Sequence, residues 1–316
     1  NRLIGSGRGA QSAIEYAVKK SPALALAAER AIDAADALVV GNEAVSRRIF
    51  RLFPERAPAW KKKHEIVTVG VDPAIFSPVA REDRALSIRR LTREAGAPGG
   101  KTLEMSRRLM SSERSDDESL RAALTEARRE YEPKAPDGDL SGKLSGVDWV
   151  GDRIVLYFGK LLSGKGVHDL VLALPEMLER SPLGRLIVVG EGPFREVLEL
   201  LLSALGSGDP ALLERVVRLG GGLEGGPDAP LKNVSAYLES AGAARVLELG
   251  RRTRPDLRTV FTGYLPHALL RHLLPCADVA VFPSEVAEAY PLVLLEAISA
   301  GVLPSASYFE GLGDGL

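Results

Sequence analysis

The sequence predicts an α/β protein built on a parallel, doubly wound sheet, and three observations lead there. From Asp152 onward, short apolar runs alternate with helical stretches: residues 154–158, 186–189, 260–262, 279–282 and the run opening at Val302 read as strands, with helices over 166–180, 193–205, 267–274 and from Pro291. Strands that alternate with helices imply right-handed βαβ units and hence a parallel sheet. Glycine-rich turns follow the strands, where ligands of such sheets bind. Finally, 316 residues suffice for one large domain or two.

Taken in order, residues 1–78 read as the end of a first α/β domain and its connection. The Gly-rich turn at residues 5–10 leads into a helix over 11–20. Its backbone amides could hold a phosphate, and Arg8 is the side chain there most able to reach an anion. Ser21-Pro22 ends that helix and a second runs to Ala35. A buried strand over 37–40 follows, then a Gly41-Asn42 turn, and a helix from Glu43 with Val45, Ile49, Leu52 and Phe53 on one face. Lys61, Lys62 and Lys63 read as a solvated lip before a strand over 66–69. In the connection, Pro73 and Pro78 stiffen an exposed crossing, while Val71 and Phe76 can pin it to a core.

Residues 79–146 change character: charges are dense and helix formers mix with Gly, Pro and Ser. Two amphipathic helices are expected, near 84–95 and 117–131, as an insertion whose charged runs favour a mobile or partner-facing surface over a core. Asp137-Gly138-Asp139 forms a D-x-D triplet, a metal-binding signal when a strand precedes it. Here it sits in a Pro/Gly/Ser stretch and reads as a turn. Residues 147–316 form the regular α/β domain, interrupted over 206–257 by a second insertion to which the sequence assigns no function.

Bulk properties exclude several classes. Hydrophobic residues are 45% and charged residues 26% of the chain, as in ordinary globular proteins, and the net charge of −1 gives no electrostatic case for nucleic acid. One cysteine, Cys276, allows no intramolecular disulfide, which favours a reducing, cytoplasmic setting; it reads as a small buried apolar residue. No apolar run reaches the roughly 18 residues of a spanning helix, which leaves peripheral membrane contact open. His64, His168, His267 and His272 have no ligand spacing, so no metal site is expected. The chain opens at Asn1 without Met and stops soon after an expected strand, so a fragment is expected.

Two stretches carry the chemistry. Residues 282–301 hold a strand end, a Pro-Ser turn, an acidic loop and an apolar helix opening at Pro291, with Glu288 just before the helix and Glu296 inside it. Burying Glu296 among Leu294, Leu295, Ala297 and Ile298 is costly unless something donates hydrogen bonds to it. Ligand hydroxyls would do so; alternatively the residue lies on a wet helix face. Residues 158–166 follow the first strand of the regular domain. They match Gly, four residues and Gly-Lys, but Gly166 stands where a P-loop needs Ser or Thr for Mg²⁺. An ATPase or kinase is therefore disfavoured.

Pro283-Ser284, Glu288, seven residues, Glu296 and Ala300-Gly301 together resemble the E-x7-E signature of retaining nucleotide-sugar glycosyltransferases of family 4, the glycogen-synthase-like and sucrose-synthase-like enzymes of GT-B fold. Gly70-Val71-Asp72 through Phe76 and Pro78 resembles that family's interdomain connection, and Val189-Gly190-Glu191-Gly192-Pro193 its V-G-x-G-P turn. The resemblance implies two Rossmann-like domains with parallel sheets, the N-terminal one incomplete here. It implies sugar transfer from a nucleoside-diphosphate sugar to an unknown acceptor hydroxyl, with retention and without a cofactor or metal.

The same resemblance implies roles for residues. Glu288 would orient the donor sugar and Glu296 would bind the ribose. Lys165, and Lys160 in place of the usual Arg, would neutralise the diphosphate. Lys160 keeps the charge and loses the bidentate fork. Gly159, Gly190, Gly192, Gly263, Tyr264, Leu265, Leu292, Gly311 and Leu312 would line the donor, with Tyr264 either stacking on the base or partly buried. Tyr290-Pro291 replaces the family's aromatic-Gly, and Pro291 has no N–H to offer a sugar. In this family the acceptor binds mainly to the N-terminal domain, so weak nucleotide binding and poor turnover are expected of a fragment. The alternatives are a sugar-nucleotide epimerase of the same fold and a non-catalytic nucleotide-binding scaffold.

Overall fold

The computed structural model describes residues 13–96, 98–112, 115–286 and 292–307. The Gly-rich turn with Arg8 lies outside them. The chain divides into two compact units: Asn1–Val71 with Ser284–Glu296 and Ala306–Leu316, and Asp72–Pro283 with Ala297–Ser305. Each has a parallel sheet, so the α/β class expected from the strand–helix alternation holds.

In the first unit, β1 (Leu38–Val40) pairs in parallel with β2 (His64–Ile66). Local chemistry sets the helix starts. Ser21 Oγ accepts from Leu24 N at 3.3 Å and Pro22 takes the first position of the helix Pro22–Ala34. Asn42 Oδ1 accepts from Val45 N at 2.9 Å and opens the helix Glu43–Leu52. The second strand was expected over 66–69 but lies earlier. The edge that β1 offers is three residues long, and the pairing ends where Val67 N donates to Val40 O at 2.9 Å. The lysine run also differs from a plain solvated lip. Lys63 Nζ donates to the carbonyls of Ile32, Asp33 and Ala35 at 2.7, 3.0 and 2.5 Å, placing a cation on the carboxyl end of the helix Pro22–Ala34.

The second unit contains β3 (Arg153–Phe158), β4 (Gly184–Val189), β5 (Thr259–Gly263), β6 (Val279–Phe282) and all but the last residue of β7 (Leu303–Ala306), in the order β5–β4–β3–β6–β7. The pairs β3/β4, β4/β5 and β3/β6 are parallel. From β3 the chain steps outward through β4 to β5, then returns to the other side of β3 for β6. The strand order therefore reverses between β3 and β6, which opens a crevice at their carboxyl ends. The helices Val167–Arg180 and Arg195–Ser207 follow β3 and β4. The connection is fastened by Phe76, which is buried against His267 and whose carbonyl accepts from Ser299 Oγ at 2.6 Å; Val71 is only half-buried.

The two inserted regions are built into this unit. The expected helices form as Arg84–Ala95 and Asp117–Arg129, joined by Leu103–Ser111 and Leu140–Ser145. A mobile or partner-facing surface is not what they make. Leu109, Leu120, Leu124 and Ala127 lie in one apolar core with Leu186 and Val188 of β4, with Leu198 of the helix Arg195–Ser207, and with Leu213, Val216 and Val246 of the second insertion. Residues 135–137 also cover the edge of β5, with Asp137 N on Thr262 O at 2.8 Å and Tyr264 N on Ala135 O at 3.1 Å.

Charged side chains of the first insertion are buried with it. Lys101 is fully buried and donates to Glu196 at 2.9 Å and Glu199 at 2.8 Å. Arg195 grips Asp137 through both terminal nitrogens at 2.6 and 2.7 Å and reaches Glu199 at 3.2 Å. The D-x-D triplet is therefore occupied within the chain: Asp137 by Arg195 and Lys143, and Asp139 by Leu103 N at 2.6 Å and Lys143 at 2.8 Å. Burial alone would raise the Glu199 carboxyl, but Lys101 and Arg195 outweigh it and hold the group below the usual carboxylate range. Burial and the adjacent Glu196 push the Tyr131 phenol well above its ordinary value, while Tyr131 Oη donates to Glu196 at 2.9 Å.

Candidate active site

The site is assembled from loops that leave the carboxyl ends of the second unit's strands. After β3 the chain runs through Gly159 and Lys160 to a 3-10 turn, Ser163–Lys165, and then into the helix Val167–Arg180. Tyr157 Oη donates to Lys160 O at 2.8 Å and Leu161 N donates to Glu191 O at 2.8 Å, so the loop is held on both sides. Lys160 is exposed and Lys165 half-buried. Both stand on the outgoing side of β3, beside the switch in strand order.

Gly166 explains why the P-loop pattern stops one residue short. Its φ is +67°, and a Cβ there would come within 1.8 Å of Pro283 O. Any side chain, including the hydroxyl residue a P-loop requires, is excluded by the backbone leaving β6. The same contact joins the loops after β3 and β6, and the rings of Phe158 and Phe282 meet edge-on at 5.1 Å just below.

The remaining glycines serve close packing between loops. A Cβ on Gly190 would approach Gly159 O to 1.8 Å, one on Gly192 Leu161 O to 2.3 Å, and one on Gly263 Ala135 O to 2.7 Å. Gly190 N donates to Gly263 O at 2.9 Å and Gly159 N to Val189 O at 3.0 Å. The neighbouring loops are thus in direct backbone contact with these glycines. Tyr264 is exposed at the end of β5, and Leu265 is buried beneath.

In the acidic stretch, Ser284 is buried and its Oγ donates to Val286 O at 3.0 Å. Glu288, Gly311 and Leu312 fall outside the described residues. Glu296 belongs to the helix Leu292–Ser299 and is 5% exposed, whereas Ile298 is 48% and Leu292 37% exposed. The helix therefore turns its carboxylate inward with Leu294 and Ala297 and leaves apolar residues outside, which removes the wet-face reading. Apolar outside and acid inside is the reverse of what transfer energies favour.

Sequence reasoning missed two members of this neighbourhood. Ser163 opens the lysine turn, and Glu224 of the second insertion takes both its amide and, at 3.1 Å, its hydroxyl. Nothing local in the sequence couples residues 61 positions apart. The glycines at 220–222 allow the close approach that the structure shows between Gly221 and Ser163.

In parallel α/β units the crevice at the switch in strand order is where ligands bind. Within it, residues 255–314 match the family model of the Glycosyl transferases group 1. Over 164 residues the chain is 31% identical to a glycogen synthase of Mycobacterium tuberculosis, covering 52% of this chain and 28% of that relative. Over 82 residues it is 35% identical to a GDP-mannose-dependent alpha-(1-6)-phosphatidylinositol monomannoside mannosyltransferase of Mycolicibacterium smegmatis, covering 26% of this chain and 22% of the other. The chain thus spans about a quarter of the length of the curated relatives it matches. Among solved structures, Anabaena Alr3699/HepE in complex with UDP and glucose aligns with a TM-score of 0.46 at 14% identity, covering 95% of this chain and 50% of that one. Among the described residues, no helix is long and apolar enough to cross a membrane.

Proposed function

We propose that the protein is a retaining glycosyltransferase that moves a sugar from a nucleoside-diphosphate sugar to an acceptor hydroxyl. The observation that carries this reading is the sheet topology. The strand order reverses between β3 and β6, the chain leaving β3 carries Lys160 and Lys165, and the chain leaving β6 passes Pro283 beside Gly166 of the same loop. The match of residues 255–314 to a glycosyltransferase family supports the same assignment.

In this reading Lys160, Lys165 and the amino end of the helix Val167–Arg180 offset the negative charge of the departing diphosphate. Glu296, a buried carboxylate, accepts from the ribose hydroxyls. Glu288 orients the donor sugar, and exposed Tyr264 offers a ring to the base. Transfer breaks the bond from the anomeric carbon to the diphosphate and forms one to the acceptor oxygen, and the acceptor's proton leaves with the nucleoside diphosphate. Cationic side chains do the neutralising, so the reaction asks for no metal. A cytoplasmic setting fits a donor of this kind.

The test is a donor screen: UDP-, GDP- and ADP-sugars with candidate acceptors, with the product's anomeric configuration read by NMR. The reading expects transfer from one donor with the anomeric configuration kept, and loss of transfer in Glu288→Ala. Release of free sugar, or an inverted product, would contradict it.

A further inference from the structure

The two inserted regions, which the sequence left without a role, meet at the lysine loop. Glu224 closes the 3-10 turn Gly221–Glu224 of the second insertion. Its carboxylate accepts from Ser163 N and from Ser163 Oγ, so both donors at the start of the Ser163–Lys165 turn are satisfied by one side chain from 61 residues away. Ser163 is buried, and the backbone of Gly221 lies so close to it that a Cβ there would sit 3.1 Å from Ser163 Oγ.

The turn that carries Glu224 is itself braced by the first insertion. Arg121 donates to Gly222 O at 3.0 Å and pairs with Asp228. Arg128 donates to Leu223 O at 2.7 Å and, through the same nitrogen, to Pro193 O in the loop after β4. Leu223 is buried in the shared core and Gly221 N is tied to Ala229 O at 2.8 Å. Glu224 is thus presented from a fixed base by both insertions and grips the residue two positions before Lys165.

We propose that Glu224 is a positioning residue for the donor's diphosphate. It fixes the backbone of the Ser163–Lys165 turn, and through it the placement of Lys165, with Arg121 and Arg128 as its supports. This rests on the reading of the lysine loop as the diphosphate site. A carboxylate suits the task because an ionised acceptor holds an N–H and an O–H together more strongly than a neutral one. The insertions then act as an outer frame of the catalytic loop.

The experiment is calorimetric titration of the full chain with UDP, GDP and ADP, and with the nucleoside of whichever binds. Losing a charge-assisted pair of hydrogen bonds predicts that Glu224→Ala weakens the diphosphate on the order of tenfold and leaves the nucleoside unchanged. Glu224→Gln keeps one acceptor and should recover most of the affinity. Ser163→Ala removes only the hydroxyl's bond, should fall between, and serves if the alanine variant at 224 does not fold. Equal loss for nucleoside and diphosphate, or no loss in either variant, overturns the proposal. If the wild-type chain, folded by its thermal transition, binds no nucleoside diphosphate, the donor-site reading fails first and the role of Glu224 with it.

Discussion

The sheet of the second unit and the segments inserted around it reach the same degree of burial by opposite chemistry. Leu156, Leu186 and Ile187 of the sheet are apolar and fully buried, as parallel strands covered on both faces must be. The first insertion is densely charged, yet Leu120 and Lys101 within it are as deeply buried as those strands. The sheet excludes charge; the insertion pairs it, with Lys101 between two glutamates and Asp137 in the fork of Arg195. A high density of charge thus reports solvation only when the charges lack distant partners. Here the partners of Lys101 lie 95 and 98 residues away.

The strongest way to break this comparison is to remove one partner. Lys101→Ala takes the shared cation from buried Glu196 and Glu199, and stability should fall by roughly 3–5 kcal/mol in denaturant unfolding. A change under about 1 kcal/mol would mean that the insertion is not part of the cooperative unit. Next, Leu124→Ala in the insertion and Leu156→Ala in β3 should each cost about 2–5 kcal/mol. A loss confined to the strand variant would return the insertion to the surface role that its composition suggested.

The acid limb of stability sharpens the contrast further. Glu199 is held low by Lys101 and Arg195 against the effect of burial, and Asp278 by Arg84, Ile154 N and Arg81, again against burial. Both folded values lie below the unfolded ones. Their contribution is therefore complete above the unfolded carboxylate values near pH 4 and is lost as pH falls through the folded values. The melting temperature should drop below about pH 4, and in Lys101→Ala the drop should begin at higher pH. A profile that is flat through this range would contradict the pairing. The smallest effect concerns Cys276. It is fully buried and burial pushes its thiol up to about 12, so thiol reagents should react only with the unfolded chain. Labelling of the native protein would show that its surroundings open.

Much of the sheet could be read from periodicity because its strands are continuous apolar runs: 154–158 became Arg153–Phe158 and 186–189 became Gly184–Val189. The lysine loop was legible through its glycine spacing, and the absent hydroxyl residue found its cause in the Pro283 backbone beside Gly166. Three things were not legible. The short strand β2 depends on its partner's length, not on its own residues. Glu296 had two faces open to it, and only packing chose the inner one. Long-range polar contacts, such as the hold of Lys63 on a helix end and of Glu224 on Ser163, leave no local pattern, since any surface sequence carries the same residue types.

The claim underlying the functional reading is that Lys165 and Glu296 serve one ligand. A crystal structure grown with a nucleoside diphosphate tests it most directly. The account predicts phosphate oxygens within hydrogen-bond distance of Lys165 Nζ and ribose hydroxyls on the Glu296 carboxylate of the same molecule. A nucleotide bound to the folded protein with neither side chain in contact would contradict it.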